Sequence, residues 1–375
     1  MIGALILLCG IGEADAQKRT EVLLYSFTGG SDGAQPRSSL TADAEGNLYG
    51  TTTAGGPYSH GVVYRLSPDG TFKVLYAFFG EKDGGQPRGG VIFDAAGNLY
   101  GTAASAGINN AGVIFKITPD GRESTFHHFG KQQGDGYLPN GDLVADEAGN
   151  FYGVTEGGGA NLWGSVYMFT PSGKEKVIYS FTPGAPDSAP AAGLIRDDAG
   201  NLYGTTLGAS GSSGAVFKLA PHGTETNLYT FQGGDDGSTP VAPVVMDKHG
   251  ALFGTTLYAG ANQRGVIFKL AADGTESTVH AFNGTDGEAP QAGLIADKKG
   301  NLYGTTCQGG RLDGGTAYKL TPDGKVVVLH SFGVKGRGPD CPAANLMIDS
   351  AGNLFGTTAY GGVNFSGTIF EIKAR

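Results

Sequence analysis

The chain has 375 residues, 67 of them glycine, with 39% hydrophobic, 10% aromatic and only 16% charged. Glycine at well over twice its usual share of about 7% calls for many tight turns, and the apolar content is too high for a disordered chain. A formal net charge of −9 repels phosphate backbones, which sets nucleic acid aside as a partner.

In chain order, Met1 to Ala16 reads as a processed signal peptide. The apolar run Ile2–Cys9 is followed by the small-residue signature Ala14-Asp15-Ala16, and residues 17–375 are expected to form one domain. No later stretch reaches the ~18 apolar residues that would span a bilayer. The next element, Val22–Phe27, reads as a strand with no neighbouring partner. After it the segment Gly-Asn-Leu-Tyr-Gly-Thr recurs with small changes from Gly46, Gly97, Gly149, Gly200, Gly250, Gly300 and Gly352, at intervals of 50 to 52 residues. An aspartate precedes each copy by three residues.

Each period holds four strand-like runs bounded by turn residues. In the sixth these are a (Gly293–Asp297), b (Leu302–Thr306), c (Gly315–Leu320) and d (Val326–Phe332). The chain ends after a strand c, Gly367–Ile372, and begins with an orphan strand d. The fold predicted is therefore an all-β, seven-bladed β-propeller with four antiparallel strands per blade, closed when strand 22–27 completes the last blade. That closure removes the open sheet edges that invite aggregation.

The repeat, Asp-x-x-Gly-Asn-Leu-Tyr-Gly-Thr-Thr with a downstream Gly-x-Val-Phe-Lys-Leu, resembles that of the bacterial GloVer tandem-repeat proteins over Val22 to Lys373. Asn201–Thr206 and Ala215–Leu219 match closely. The resemblance implies an exported protein and brings no activity with it. A weaker, fold-level likeness links the Asp-x-x-Gly-Asn turn to NHL and gluconolactonase-like propellers.

Within a blade, the a–b and c–d turns are tight, whereas the b–c and d–a connections are long, so a site is expected on the long-loop face near the central channel. The seven turn aspartates read as Asx turns common to every blade. His127, His280 and His330 occupy the strand-d slot held elsewhere by Tyr25, Tyr76, Tyr179 and Tyr229, and read as aromatic packing substitutes. No histidine set has zinc spacing and no Ser-His-Asp set stands out, so no metal and no cofactor is assigned. Asp-Gly pairs at Asp32, Asp83, Asp135, Asp236 and Asp286 offer oxygens to calcium, but none completes a calcium loop. Cys307 and Cys341 fall on one face of neighbouring blades and, in an exported chain, are expected to form a disulfide.

Blade three departs most from the repeat. Asp142 and Glu156 stand where other blades carry mostly small or apolar residues, and two close carboxylates can serve as acid and base. Arg37 and Arg88, at matching positions, would hold an anionic group. The leading reading is a secreted, periplasmic or surface-exposed monomer that binds a glycan or an extracellular protein through Tyr58, Trp163, Arg264, Arg311 and Phe365 on its long-loop face. The alternatives are a polysaccharide lyase or hydrolase using Asp142 and Glu156, and a structural envelope or matrix protein.

Overall fold

The computed structural model describes residues 19–374 apart from 186 and 334–337; the signal peptide expected over 1–16 lies outside them. Every regular element among the described residues is a β-strand, and none is a helix long and apolar enough to cross a membrane. The strands form seven antiparallel blades; six are four-stranded in the order a-b-c-d, and in the last, strand a is split into Pro339–Pro342 and Met347–Ile348, which makes five strands. Blade one comprises Thr41–Ala42, Leu48–Thr52, Val62–Leu66 and Phe72–Ala77.

The last blade is completed by the N-terminal strand Glu21–Ser26, which pairs with Thr368–Ile372 from Glu21 opposite Ile372 to Ser26 opposite Thr368. Closure by strand exchange is thus observed as the sequence implied. Strand a is shorter than expected. In blade six only Ile295–Ala296 pairs with strand b, and just upstream the Gly293 N–H donates to Asn345 Oδ1 of blade seven at 2.7 Å. Blades three and seven extend it: blade three has a strand a of ten residues, Gly136–Ala145, paired to Phe151–Gly158 through an irregular register, and blade seven pairs both Pro339–Pro342 and Met347–Ile348 with Leu354–Gly361.

The core lies in the seams between blades. The phenylalanine after each strand d packs edge-on against the strand-c aromatic of the next blade. Phe78 meets Phe115, Phe129 meets Tyr167, Phe181 meets Phe217, Phe231 meets Phe268, Phe282 meets Tyr318 and Phe332 meets Phe370, with ring centroids 4.8 to 5.2 Å apart. The closing seam repeats the contact, Phe27 against Tyr64 at 5.3 Å. Such pairs add about 0.5–1.5 kcal/mol beyond their buried area.

These rings explain the glycine inside Leu-Tyr-Gly-Thr. A Cβ at Gly204 would lie 2.7 Å from Phe217 and 2.9 Å from Leu194, so the backbone must pass over the ring bare. The following threonine ties blades together: Thr205 Oγ1 donates to the Ala242 carbonyl at 3.0 Å, and Thr255 Oγ1 to that of Ala292 at 3.1 Å. The turn aspartates are architectural, as expected. Asp43 accepts from the Asn47 backbone N–H (2.8 Å), the Asn47 side chain (2.7 Å) and the Tyr49 hydroxyl (2.9 Å). Burial pushes its carboxyl upward, but these hydrogen bonds outweigh burial and hold it below the ordinary value.

Candidate functional site

Strand a is innermost, so the connections entering it shape the mouth of the channel. Each connection contains a residue in the left-handed region followed by proline: Gln35, Gln86, Leu138, Ala189, Thr239, Ala289 and Cys341, with φ between 54° and 61°. The N–H of each donates to a carbonyl in the b–c loop of the preceding blade, as from Ala189 to Trp163 (2.9 Å) and from Gln86 to His60 (2.8 Å). Non-glycine residues in this region carry strain of order 1–3 kcal/mol, held here by a bond repeated around the ring.

The residue after each proline then faces the axis. Arg37, Arg88, Asn140, Ala191, Val241, Gln291 and Ala343 form one ring of a funnel of about 670 Å³, with contributions from all seven blades. Ser39, Asp142, Pro243 and Asn345 belong to the same lining. The funnel is asymmetric. Blades one to three supply two guanidiniums, three amides and a carboxylate, whereas blades four and five supply Ala191, Val241 and Leu257, and blade seven supplies Ala343 and one amide, Asn345.

Arg37 donates to the Tyr360 hydroxyl at 2.7 Å and lies 5.3 Å from the centre of that ring. Arg88 pairs with Glu156 at 3.3 Å, with the two side chains 40% and 35% exposed. An ion pair this open contributes about 0–1 kcal/mol, so Arg88 can exchange Glu156 for a ligand carboxylate at small cost. Asp142 accepts from the Gly90 N–H at 2.6 Å, the same bond that Asn345 accepts from Gly293. One oxygen of Asp142 therefore performs the service an uncharged amide performs in blade seven.

The other residues singled out from sequence lie away from the funnel, in the b–c loops. Tyr58 packs at a tilt of 33° against Phe79, centroids 4.2 Å apart, and both residues are about half exposed. Trp163 is half-buried against the core between blades three and four. Arg264 forms a close ion pair with Glu288. Arg311 is exposed, and Phe365 is 62% exposed with φ of 56°. They share a face and do not converge. Cys307 and Cys341 form a disulfide, joining the end of strand b in blade six to the entry of blade seven.

Sequence reasoning missed two devices. One is the residue-proline entry; its prolines, Pro36 to Pro342, recur with the period of the main motif, a signal open to reading. The other is the partner of the strand-d slot. Tyr25, Tyr76 and Tyr229 each donate to the loop aspartate seven residues on, Asp32, Asp83 and Asp236, at 2.9 Å. Burial first, and the bonded aspartate second, push these phenols well up. His280 makes the equivalent contact with Asp286 at 2.9 Å, so the slot bonds as well as packs. The loop oxygens offered to calcium at Asp32, Asp83, Asp236 and Asp286 are the ones engaged in these contacts, and they also cap backbone N–H groups of the same loops.

The chain matches the family model of the Gloeobacter/Verrucomicrobia repeat over residues 13–213 and again over 190–375. No curated protein matches it. Among solved structures it is similar to the extracellular domain of a candidate one-component system from B. thetaiotaomicron, at 14% identity and TM-score 0.58 over 94% of this chain and 40% of that one. It is also similar to the extracellular domain of a candidate hybrid two-component system from B. thetaiotaomicron, at 12% identity and TM-score 0.58 over 95% of this chain and 41% of that one. The chain thus spans about two fifths of those sensor domains, and the likeness is one of fold. A gluconolactonase from Xanthomonas campestris aligns at 15% identity and TM-score 0.46 over 96% of this chain and 91% of that one, too distant to inform the chemistry.

Proposed function

The chain belongs to the Gloeobacter/Verrucomicrobia repeat family, and on that footing we propose that it is an exported binding propeller whose central funnel takes the acidic end of a glycan. The observation that carries this reading is the pair Arg37 and Arg88, side by side in adjacent blades on one wall of a funnel built by all seven. A guanidinium meets a carboxylate through two parallel hydrogen bonds. Gln291 offers an amide to sugar hydroxyls, and Val241 and Leu257 offer an apolar wall to ring faces. A concave site with a few placed polar groups on a largely preformed scaffold is the usual form of a small-ligand pocket. The Cys307–Cys341 disulfide supports an oxidising compartment, and the two sensor domains of similar fold are themselves extracellular.

The Arg88–Glu156 pair and the Asp142–Gly90 bond give both blade-three acids a positioning duty, which supports binding over acid–base chemistry. A thermal-shift panel tests the proposal. Oligouronides should raise the melting temperature, with about 2.7 kcal/mol of stabilisation at a hundred times the dissociation constant, while neutral oligosaccharides of equal length should do much less. A flat response to every sugar would count against glycan binding and favour a protein partner. Cleavage of an oligosaccharide that is lost in Glu156→Gln would instead restore the enzyme reading.

A further inference from the structure

We propose that His127, Asp135 and Glu175 bind a divalent transition-metal ion of the zinc class in the outer seam between blades two and three. This site is separate from the funnel and does not depend on it. At these seams the slot residue of the outer strand d faces the first residue of the next blade's strand d and, where its own connection carries one, a loop acid. In four seams the slot is a phenol, and three of these phenols face two acids: Tyr76 with Asp83 and Glu123, Tyr179 with Asp187 and Glu225, and Tyr229 with Asp236 and Glu276. A phenol O–H donates to the acid and closes the arrangement. An imidazole can present a lone pair instead.

Among the described residues, His127, Asp135 and Glu175 form the one set whose ligand atoms all lie within 4.8 Å of one another. His280 has Asp286 but faces the Val326 position, and His330 lies 3.3 Å from Glu21. His127 Nε2 and Asp135 Oδ2 are already 3.4 Å apart. Tetrahedral zinc with ligand bonds of about 2.0–2.1 Å sets its ligands about 3.4 Å apart, so the remaining closure falls to the Glu175 side chain.

A second observation points to a missing partner. His127 Nε2 is shut off from solvent and has no hydrogen bond, although it lies 3.4 Å from Asp135 Oδ2; Glu175 Oε1 is also unbonded, a state it shares with the equivalent oxygens of Glu225 and Glu276, so the histidine carries this observation. Buried polar groups are rarely left so. The surroundings are fixed as a metal site requires. The Asp135 carboxylate, 3% exposed, accepts from the Gly136 N–H at 2.8 Å and the Lys131 N–H at 3.2 Å. The His127 ring is held edge-on to Phe129 at 4.9 Å. A divalent cation would satisfy both orphaned atoms, offset two carboxylates and join the outer strands of neighbouring blades. Sequence spacing hides the site, because its ligands are 8 and 40 residues apart on three separate elements.

The test is calorimetric titration of the chelator-stripped protein with zinc chloride, repeated on two variants. His127→Tyr installs the residue that neighbouring blades carry in this slot and should leave folding intact, while Glu175→Gln keeps the shape of the third ligand. The expected result is one ion per chain, a raised melting temperature with zinc, and at least a tenfold loss of affinity in both variants. Absence of a one-to-one site would overturn the proposal, as would zinc binding that is undiminished in His127→Tyr.

Discussion

Replacing Glu225 with glutamine should stabilise the protein at pH 8 and not at pH 5. Glu225 begins strand d of blade four (Glu225–Thr230) and is half-buried in the seam with blade three. Burial first, then the charge of Asp187 and its hydrogen bond, push the carboxyl from 4.5 up to about 7, against the opposing hydrogen bond from Tyr179. The folded state therefore holds this proton more tightly than the unfolded chain. Its stabilising contribution is complete below pH 4.5 and is lost as pH rises through about 7. The full displacement corresponds to roughly 3 kcal/mol at 1.36 kcal/mol per pH unit. Solvent screening of a half-exposed group reduces that to about 1–2 kcal/mol. Urea denaturation of parent and Glu225→Gln from pH 4.5 to 8 reads the difference directly. The variant should match the parent near pH 5 and exceed it by about 1–2 kcal/mol at pH 8. A pH-independent difference, or one that grows toward low pH, would refute the reasoning.

Other parts of the structure make equally definite claims. Phe27→Ala empties a fully buried place against Tyr64 in the closing seam, and should lower the free energy of unfolding by about 3–5 kcal/mol. Phe231→Ala, in an ordinary seam, should cost about the same in parallel urea melts; a mild effect at Phe27 alone would mean that the ring is not held by its N-terminal strand. Gly204→Ala drives a methyl into Phe217 and should cost about 1–3 kcal/mol, and a neutral result in the same assay would count against the ring-clearance account of the repeat glycine. Cys307→Ser opens a link across 34 residues and should cost about 3–4 kcal/mol on loop-entropy grounds, measured against the parent with and without reductant.

The architecture was legible because it is periodic. The recurring Gly-Asn-Leu-Tyr-Gly-Thr and the rings of strands c and d set blade count, strand order and the need for Val22–Phe27 to close the last blade. Periodicity also identified the turn aspartates as shared scaffolding. It could not say which side chains meet across a seam, since those contacts join residues about 40 positions apart, as Tyr179 meets Glu225. Residue type was read as packing at His127 and His280, where the fold adds an acid. The funnel was half legible. Arg37 and Arg88 stand at matching positions of the repeat, and both line it. Tyr58, Trp163 and Phe365 are aromatics on long loops, a pattern that suggests anchors. The b–c loops carry them outward around the rim, and Trp163 spends part of its surface on the core.

The central claim is that Arg37 and Arg88 make the funnel a receptor for a glycan carboxylate. Calorimetric titration of the parent and of a double Arg37→Ala, Arg88→Ala variant with a purified oligouronide tests it most directly. Charge-assisted hydrogen bonds contribute about 1.5–3 kcal/mol each, so the account predicts saturable one-to-one binding to the parent and at least a hundredfold weaker binding to a variant that melts normally. Equal binding to both proteins, or none to the parent, would contradict it.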